Sequence, residues 1–142
     1  MNDPVSTIKK FHTRIGEFEL GKFDTLQGLG CRVELEELND DGLTPLTLLP
    51  SRVRLTRAPS RQTLKVWQWF SHIKANRSRL DATITAVSED GSAVVRWSLR
   101  GVAPLHWSGL GMSPSENPAL DTEELELIFQ EIADMELVNQ DV

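Results

Sequence analysis

Residues 82–105, with the sequence ATITAVSEDGSAVVRWSLRGVAPL, decide the fold of this chain. Two runs rich in β-branched residues, 83–87 and 93–97, flank the turn sequence SEDGS. Within that turn, the pair Asp90-Gly91 readily supplies the positive φ that a tight hairpin turn requires. The stretch therefore predicts a β-hairpin.

Alternation along the two predicted strands divides their side chains between two faces, of which one lies in the core and the other in solvent. One set comprises Ile84, Ala86, Val94, Arg96 and Ser98. The other set, which is the more apolar on the later strand, comprises Thr83, Thr85, Val87, Val95, Trp97 and Leu99. We expect Trp97 to lie on the core face.

The length and composition predict one domain, spanning residues 1–142. A chain of 142 residues, 39% of them hydrophobic, can bury a core without the help of a metal or a disulfide bond. The lone Cys31 cannot form an intrachain disulfide, and no Cys/His cluster has the spacing of metal ligands. We therefore predict no cofactor and no metal site.

The formal net charge of −6 argues against general binding of nucleic acid through its phosphate backbone. The basic residues between Arg52 and Arg79 form either a local patch or an ordinary solvated face. The first 16 residues lack the basic start and apolar block of a signal peptide, and no window has the roughly 20 apolar residues that span a bilayer. We expect synthesis and folding in the cytoplasm, with no insertion into a membrane.

Residue types that often carry catalysis are scattered along the chain. His12, His72 and His106 lie far apart, and none belongs to an HExxH motif. The sequence also lacks the GxSxG motif of hydrolases and the glycine-rich loops that bind phosphates. The chain is predicted not to be an enzyme and to have no catalytic residues. A hydrolase that pairs His106 with a carboxylate is the hypothesis that this pattern disfavours.

Further strands are predicted from alternation and from turn residues. Residues 14–23 are typical of short strands broken at Gly16 and Gly21, and residues 31–38 are typical of a half-buried strand. Residues 109–119 contain two prolines and are predicted to form a long loop.

Residues 52–57 alternate, which predicts a strand with Val53 and Leu55 inward and its three arginines outward. A helix follows, with Ser60 or Thr63 as its N-cap. We expect the helix to lie on a sheet through an apolar face formed by Leu64, Trp67, Phe70 and Ile73.

An apolar segment runs from Leu43 to Leu49 with Pro45 inside it, and this pattern predicts a loop or an edge segment rather than a central strand. Surface loops are usually polar. The leucines of this segment therefore either fold back onto the core or await a partner.

Residues 123–137 give conflicting signals. Five apolar residues have helical spacing, namely Leu125, Ile128, Phe129, Ile132 and Met135. Three of the same region alternate as in a strand, namely Leu125, Leu127 and Phe129. Local propensity favours the helix.

Six short elements follow one another between residues 15 and 135. They are Gly28-Leu29, VRLTR at 53–57, VWQWF at 66–70, ATIT at 82–85 with EDG at 89–91, VRWSLR at 95–100 and APLHWS at 103–108. In this order and spacing they resemble the tail-tube proteins of contractile phages, and equally the inner-tube proteins of extracellular contractile injection systems. The sequence ELIF at 126–129 is similar to the closing strand of that family. The resemblance therefore favours a strand over residues 123–132, against the local propensity.

The resemblance implies a mainly β (α+β), tail-tube-like fold, that is, a two-sheet β-barrel or sandwich with one short α-helix. It implies six copies per ring, completed at their sheet edges by one another, and rings stacked into a hollow conduit. The implied partners are other copies of the chain, the sheath, baseplate and spike proteins of the same machine, and a cargo effector or phage DNA in the lumen. The implied particle is a phage tail or an extracellular tail-like assembly.

On this resemblance the candidate assembly interface comprises Leu43, Leu46, Leu48, Leu49, Trp69 and Trp107. Trp69 and Trp107 are included because the other two tryptophans, Trp67 and Trp97, fall on predicted core faces. Two alternatives stay open. One is a baseplate-proximal ring that initiates or adapts the tube of the same machine, and the other is a monomeric β-domain that binds a ligand through Trp69 and Trp107.

Overall fold

The computed structural model describes residues 7–30, 32–38, 42–49, 51–76, 79–108 and 122–138, and only the backbone of 32–38 and 42–49. These residues form ten strands and one helix. The strands are β1 (Ile8–Ile15), β2 (Phe18–Phe23), β3 (Thr25–Gln27), β4 (Arg32–Leu38), β5 (Gly42–Leu49), β6 (Ser51–Arg57), β7 (Leu80–Ser88), β8 (Ala93–Ser108), β9 (Glu123–Phe129) and β10 (Glu131–Leu137). The helix, α1, is Thr63–Asn76.

The predicted hairpin is confirmed as β7 and β8, which pair antiparallel. At its turn, the Gly91 amide donates to the Ser88 carbonyl at 2.9 Å, and the Ser88 amide donates to the Ser92 carbonyl at 2.9 Å. Gly91 has a φ of 88°, a left-handed conformation that costs glycine little because it has no Cβ. The Asp-Gly pair is therefore placed where the turn requires it.

The Asp90 carboxylate closes the same turn. Its Oδ1 accepts hydrogen bonds from the Ser88 hydroxyl at 2.5 Å and from the Ser92 amide at 2.9 Å. These bonds, that of Ser88 first, lower the pKa of Asp90 from 3.8 to about 2, because they stabilise its charged form.

The pKa of Asp90 makes the turn sensitive to acid. A carboxyl group whose pKa is lower in the folded state stabilises the fold fully above its unfolded pKa, and this contribution is lost as the pH falls from about 4 toward about 2. We expect Ser88→Ala to raise the pKa of Asp90 measured by NMR titration of its carboxyl carbon. An unchanged pKa in Ser88→Ala would contradict the assignment to the hydroxyl.

The predicted faces of the hairpin are wrong on β7. Ile84 pairs with Trp97 and Ala86 with Val95, and the register shifts between Ala86 and Val87, which pairs with Ala93. Val94 is therefore an extra residue in β8, and such a β-bulge moves every later side chain of that strand to the other face. The core face consequently combines Ala82, Ile84 and Ala86 with Val95, Trp97 and Leu99.

The strand β8 connects the two halves of the sheet. Its first part pairs with β7 on one side and β10 on the other, and its second part pairs with β9. Gly101 lies between these parts with a φ of 67°, and a Cβ there would come within 2.2 Å of the Gln130 side chain. Glycine is therefore required where β8 changes partners.

The strand order is β2-β1-β7-β8-β9-β6-β3, with β10 beside β8. The first and last strands of this order, β2 and β3, are joined in sequence by Asp24 alone, whose amide donates to the Thr56 carbonyl at 2.7 Å. The sheet therefore curves until its two ends meet, and the two halves enclose one core. The mainly β fold with one short helix is confirmed, and its main sheet has eight strands.

The strand predicted over residues 123–132 is confirmed by β9 and by the first residues of β10. β9 lies between β6 and β8, and its buried residues alternate as Glu123, Leu125, Leu127 and Phe129. Pairing on both edges overrides the helical spacing of this segment. β10, which ends at Leu137, extends the strand structure beyond the predicted boundary.

The predicted helix is confirmed as α1, but its predicted face is wrong. Val66 and Trp69 are buried, whereas Leu64 is 58% and Trp67 51% exposed. Phe70 and Ile73 are partly buried against the core. Two apolar stripes share these last two residues, so helical spacing alone does not indicate which stripe packs on the barrel.

The segments around Leu43 form a separate two-stranded ribbon. β4 confirms the strand predicted at residues 31–38, of which Cys31 lies outside the described residues, and β5 pairs with it antiparallel from Gly42 to Leu49. The apolar segment is thus an edge strand of a hairpin, one of the two predicted alternatives. The predicted loop at residues 109–119 lies outside the described residues.

Candidate assembly surfaces

The predicted interface residues differ in how far the protomer buries them. Trp69 is completely buried in the core, so it presents no surface to a partner. Trp107 is half-buried at the end of β8. The leucines of the apolar segment lie on β5, and their side chains are outside the described part of the structure, so their role stays a prediction. They are Leu43, Leu46, Leu48 and Leu49.

The exposed aromatic residue is Trp67, which sequence reasoning assigned to the core. Its ring stacks on that of Trp107 with centroids 6.4 Å apart and an interplanar angle of 30°. Phe70 lies against the other tryptophan at 5.3 Å. Leu64 precedes Trp67 by three residues, and side chains at this spacing share one face of a helix. We call Leu64, Trp67, Phe70 and Trp107 the aromatic patch.

A buried ion pair fixes the aromatic patch to the barrel. The Arg57 Nε donates to Glu123 Oε1 at 2.7 Å, and the two side chains are 4% and 0% exposed. The same Oε1 accepts from the Thr63 hydroxyl at 3.0 Å, and Glu123 Oε2 accepts from Trp107 Nε1 at 2.8 Å. One carboxylate therefore joins β6, the start of α1 and the end of β8.

The burial of Arg57 corrects the prediction that all three arginines of this strand point outward. Arg57 follows Val53 and Leu55 at intervals of two residues, so strict alternation places it on the same inward face. Its guanidinium carbon lies 4.0 Å from the centre of the Phe23 ring. The alternation alone would have predicted a buried Arg57. The outward prediction followed instead from the general preference of arginine for solvent.

Arg57 also closes one edge of the sheet. One of its terminal nitrogens donates to the Leu20 carbonyl at 2.5 Å and the Lys22 carbonyl at 3.3 Å, while the Lys22 amide donates to Gln62 Oε1 at 3.3 Å. Backbone groups on the outer side of β2 are thus satisfied by side chains of the same protomer. This edge is protected against pairing with another strand.

Unlike the edge of β2, the outer edge of β10 is unpaired. It pairs with β8 on one side, and no strand among the described residues pairs with its other side. Met135 and Leu137 lie opposite Trp97 and Val95, which places them on the core face of the sheet. They are nevertheless 59% and 51% exposed. An unpaired edge beside uncovered apolar side chains is a surface prepared for contact.

The other face of this sheet is polar. Arg96 and Glu136 lie opposite each other on β8 and β10 and form an ion pair at 2.8 Å, and Arg100 pairs with Glu131 at 2.7 Å. On the neighbouring strands, His12 of β1 lies beside Glu19 of β2, with the His12 Nε2 atom 2.7 Å from a Glu19 carboxylate oxygen. The face carries both signs of charge, paired across neighbouring strands.

Within the described ranges, no group of three or more His, Cys, Asp or Glu side chains is arranged to hold a metal ion. No helix among those same residues is long and apolar enough to cross a membrane.

The rolled sheet with one helix is shared with chains in solved structures of an extracellular contractile injection system and of the anti-feeding prophage. The sheath–tube complex of an extracellular contractile injection system, PVC, in its extended state contains a chain with 18% sequence identity and a TM-score of 0.68, and the match covers 91% of this chain and 89% of that one. The tube-terminating cap of the anti-feeding prophage (AFP) gives 16% identity, a TM-score of 0.66 and coverage of 90% and 88%. A chain of the AFP baseplate has 18% sequence identity and a TM-score of 0.64, and the match covers 99% of this chain and 100% of that one.

These likenesses define the class of fold, and a family model identifies the family. The model for the T4-like virus tail tube protein gp19 matches residues 9–133, and the chain belongs to this family. It is therefore a structural tail tube protein, of a family that is not enzymatic. The comparison with curated proteins gave no significant match.

Proposed function

We propose that this chain forms the inner tube of a contractile tail or injection particle as stacked rings of six copies around a lumen. The unpaired outer side of β10 supports this proposal most strongly, because it lies beside exposed apolar side chains, whereas backbone groups on the outer side of β2 are bonded to side chains of the same protomer. A strand from a neighbouring copy would satisfy the free backbone groups of β10 and cover Met135 and Leu137. Such a contact joins two different surfaces, and contacts of this type generate a ring when the rotation between neighbours closes.

The polar face of the same sheet is the proposed lining of the lumen. Val66 and Trp69 of α1 pack into the core together with Ile84 and Leu99, which point inward from this sheet. Arg96 and Glu136 alternate with the inward residues and therefore point away from the helix. A ring with this face toward its axis has α1 on its outer wall.

The other proposed partners of the chain are further components of the same particle. Sheath and baseplate proteins accompany the matched chains in the PVC and AFP particles. By this analogy the tube would lie inside a sheath, start at a baseplate with its spike, and conduct a cargo effector or phage DNA. The ribbon of β4 and β5, with its four leucines, is proposed to contact neighbouring protomers or rings. The same chain fold also occurs in the AFP cap and baseplate, so a terminal or baseplate-proximal ring is the second candidate.

The proposal predicts self-association that depends on β10. We expect the purified protein to form rings or tubes, and Met135→Asp with Leu137→Asp to leave a folded monomer. Two carboxylates buried at a contact without partners cost several kcal/mol. The assembly is measured by size exclusion with light scattering and by negative-stain electron microscopy, and the fold by far-UV circular dichroism.

A matched control is Leu64→Asp, which places the same charge on an equally exposed leucine of the outer wall. It should assemble like the unmodified chain. Two results would refute the proposed function: a protein that stays monomeric at millimolar concentration, or a β10 double variant that forms normal tubes. A monomer whose tryptophan fluorescence is quenched by a ligand would instead favour a binding module.

A further inference from the structure

One long segment of the chain that includes the helix has no acidic residues. Residues 42–80 contain eight of the fifteen Lys and Arg residues and none of the 21 Asp and Glu residues. The remainder of the chain is accordingly strongly acidic. Helix α1 lies wholly inside this segment, so its exposed side combines positive charge with the aromatic patch.

The basic residues of this surface differ from four arginines of the main sheet, which are paired. Arg54, Arg57, Arg96 and Arg100 are each paired with a glutamate. By contrast, the basic side chains on and before the helix are exposed, and none has a carboxylate partner among the described residues. They are Arg61, Lys65 and Lys74.

Charge and apolar surface are arranged along one stripe of the helix. Leu64, Trp67 and Lys74 follow one another at intervals of three and seven residues, which places them on one side of α1, and Arg61 lies in the turn just before the helix. Leu64 and Trp67 are more than half exposed. An apolar centre between two cations fits a segment that inserts an apolar side chain and surrounds it with carboxylates.

The position of the aromatic patch is fixed rather than adaptable. Trp107, on which Trp67 stacks, is held by the buried Glu123 carboxylate at 2.8 Å. A side chain that is already ordered loses little conformational entropy when a partner binds. The patch is thus a preorganised anchor site.

We propose that the aromatic patch, together with Arg61, Lys65 and Lys74, is the docking surface for an acidic segment of a second protein that encloses the tube. This inference rests on the proposed function, because it requires α1 to lie on the outer wall. The protein that meets an outer wall is the sheath subunit, and the segment that binds here presents Asp or Glu residues around one apolar side chain. Such a contact weakens as salt is raised, because exposed charges are screened.

The test uses the sheath subunit of the same particle as the probe. Two variants are compared with the unmodified chain: Trp67→Ala, and a triple variant with Arg61→Glu, Lys65→Glu and Lys74→Glu. We expect the amount of sheath that co-sediments with assembled tubes to fall at least tenfold in the triple variant and severalfold in Trp67→Ala. Raising NaCl from 50 to 500 mM should lower retention on unmodified tubes and have little effect on the triple variant.

The control for general charge effects is Lys9→Glu, an exposed lysine on β1 that lies outside the helix surface. It should retain the sheath. Retention of the sheath by both helix variants at unmodified levels overturns the proposal. Loss of tubes in the helix variants alone also overturns it, because the surface would then be a contact between copies. A fall in the free energy of unfolding of isolated Trp67→Ala as large as that of a core variant overturns it too, because the patch would then be covered within the protomer.

The binding of sheath to the protomer before assembly is measured in parallel by light scattering. If the unmodified chain forms no tube, the proposed function fails, and this second measurement still tests the helix surface. Equal binding by the triple variant and the unmodified protomer would then overturn the docking surface alone.

Discussion

Replacing Glu123 with alanine is expected to lower the free energy of unfolding by about 3–5 kcal/mol, because removal of one member of a buried ion pair leaves the other charge without compensation. Arg57 is only 4% exposed and has no other carboxylate within 4 Å among the described residues. The Thr63 hydroxyl and Trp107 Nε1 lose their acceptor in the same variant. Thermal or urea unfolding followed by circular dichroism measures the change.

The matched control for Glu123 is its neighbour in sequence. Glu124 also pairs with an arginine of β6, Arg54, but these side chains are 23% and 49% exposed. Surface ion pairs contribute about 0–1 kcal/mol, so Glu124→Ala should change the stability little. Equal losses in Glu123→Ala and Glu124→Ala would contradict the role of the buried pair.

A double variant separates the effect of losing the charges from the effect of losing side-chain volume. Arg57→Met with Glu123→Leu removes both charges and keeps much of the volume, and buried ion pairs replaced in this way often cost little. We expect this variant to be more stable than Glu123→Ala. If it is the less stable of the two, the carboxylate contributes mainly through Thr63 and Trp107.

The second large effect is expected for Trp69→Ala, with a loss of about 3–5 kcal/mol from the cavity left in the core. Trp69 is completely buried and packs edge-on against Phe70 at 5.5 Å. Trp67→Ala, on the same helix but 51% exposed, should cost less than about 1 kcal/mol. A larger loss for Trp67→Ala than for Trp69→Ala would show that the helix packs through the opposite stripe.

Trp69→Phe refines the same comparison. The Trp69 indole nitrogen is buried without a hydrogen-bond partner in the described structure, and an unsatisfied buried donor is costly. Phenylalanine removes this donor and retains most of the apolar surface. We expect Trp69→Phe to lose clearly less stability than Trp69→Ala in the same unfolding measurement.

The hairpin shows how far alternation can be followed in a sequence. The two strands and the Asp90-Gly91 turn are written in residues that are adjacent along the chain, and each was predictable. The pairing of Ile84 with Trp97 was not, because the bulge at Val94 shifts one strand by a residue. A bulge is stabilised by the whole sheet and leaves no fixed local signal.

Residues 123–129 and helix α1 likewise show which features local sequence predicts and which depend on tertiary contacts. Residues 123–129 form a strand because β6 and β8 supply partners on both of its edges, a fact that no local window contains. Helix α1 was predictable from its caps and spacing. Its buried stripe was not, because the choice between Trp67 and Trp69 depends on how the helix lies on the barrel.

By itself the sequence determined the type of the elements that it predicted, the hairpin turn, and, through six ordered motifs, the tail-tube family. These properties depend on backbone preferences and on residues close together in the chain. Only the tertiary structure decided which side chains are buried and which edges are free: Arg57 inside, Trp67 outside, β2 closed and β10 open. The physical reason is that burial and edge pairing are properties of neighbours brought together by folding, and a shift of one residue or a turn of one helix reverses them.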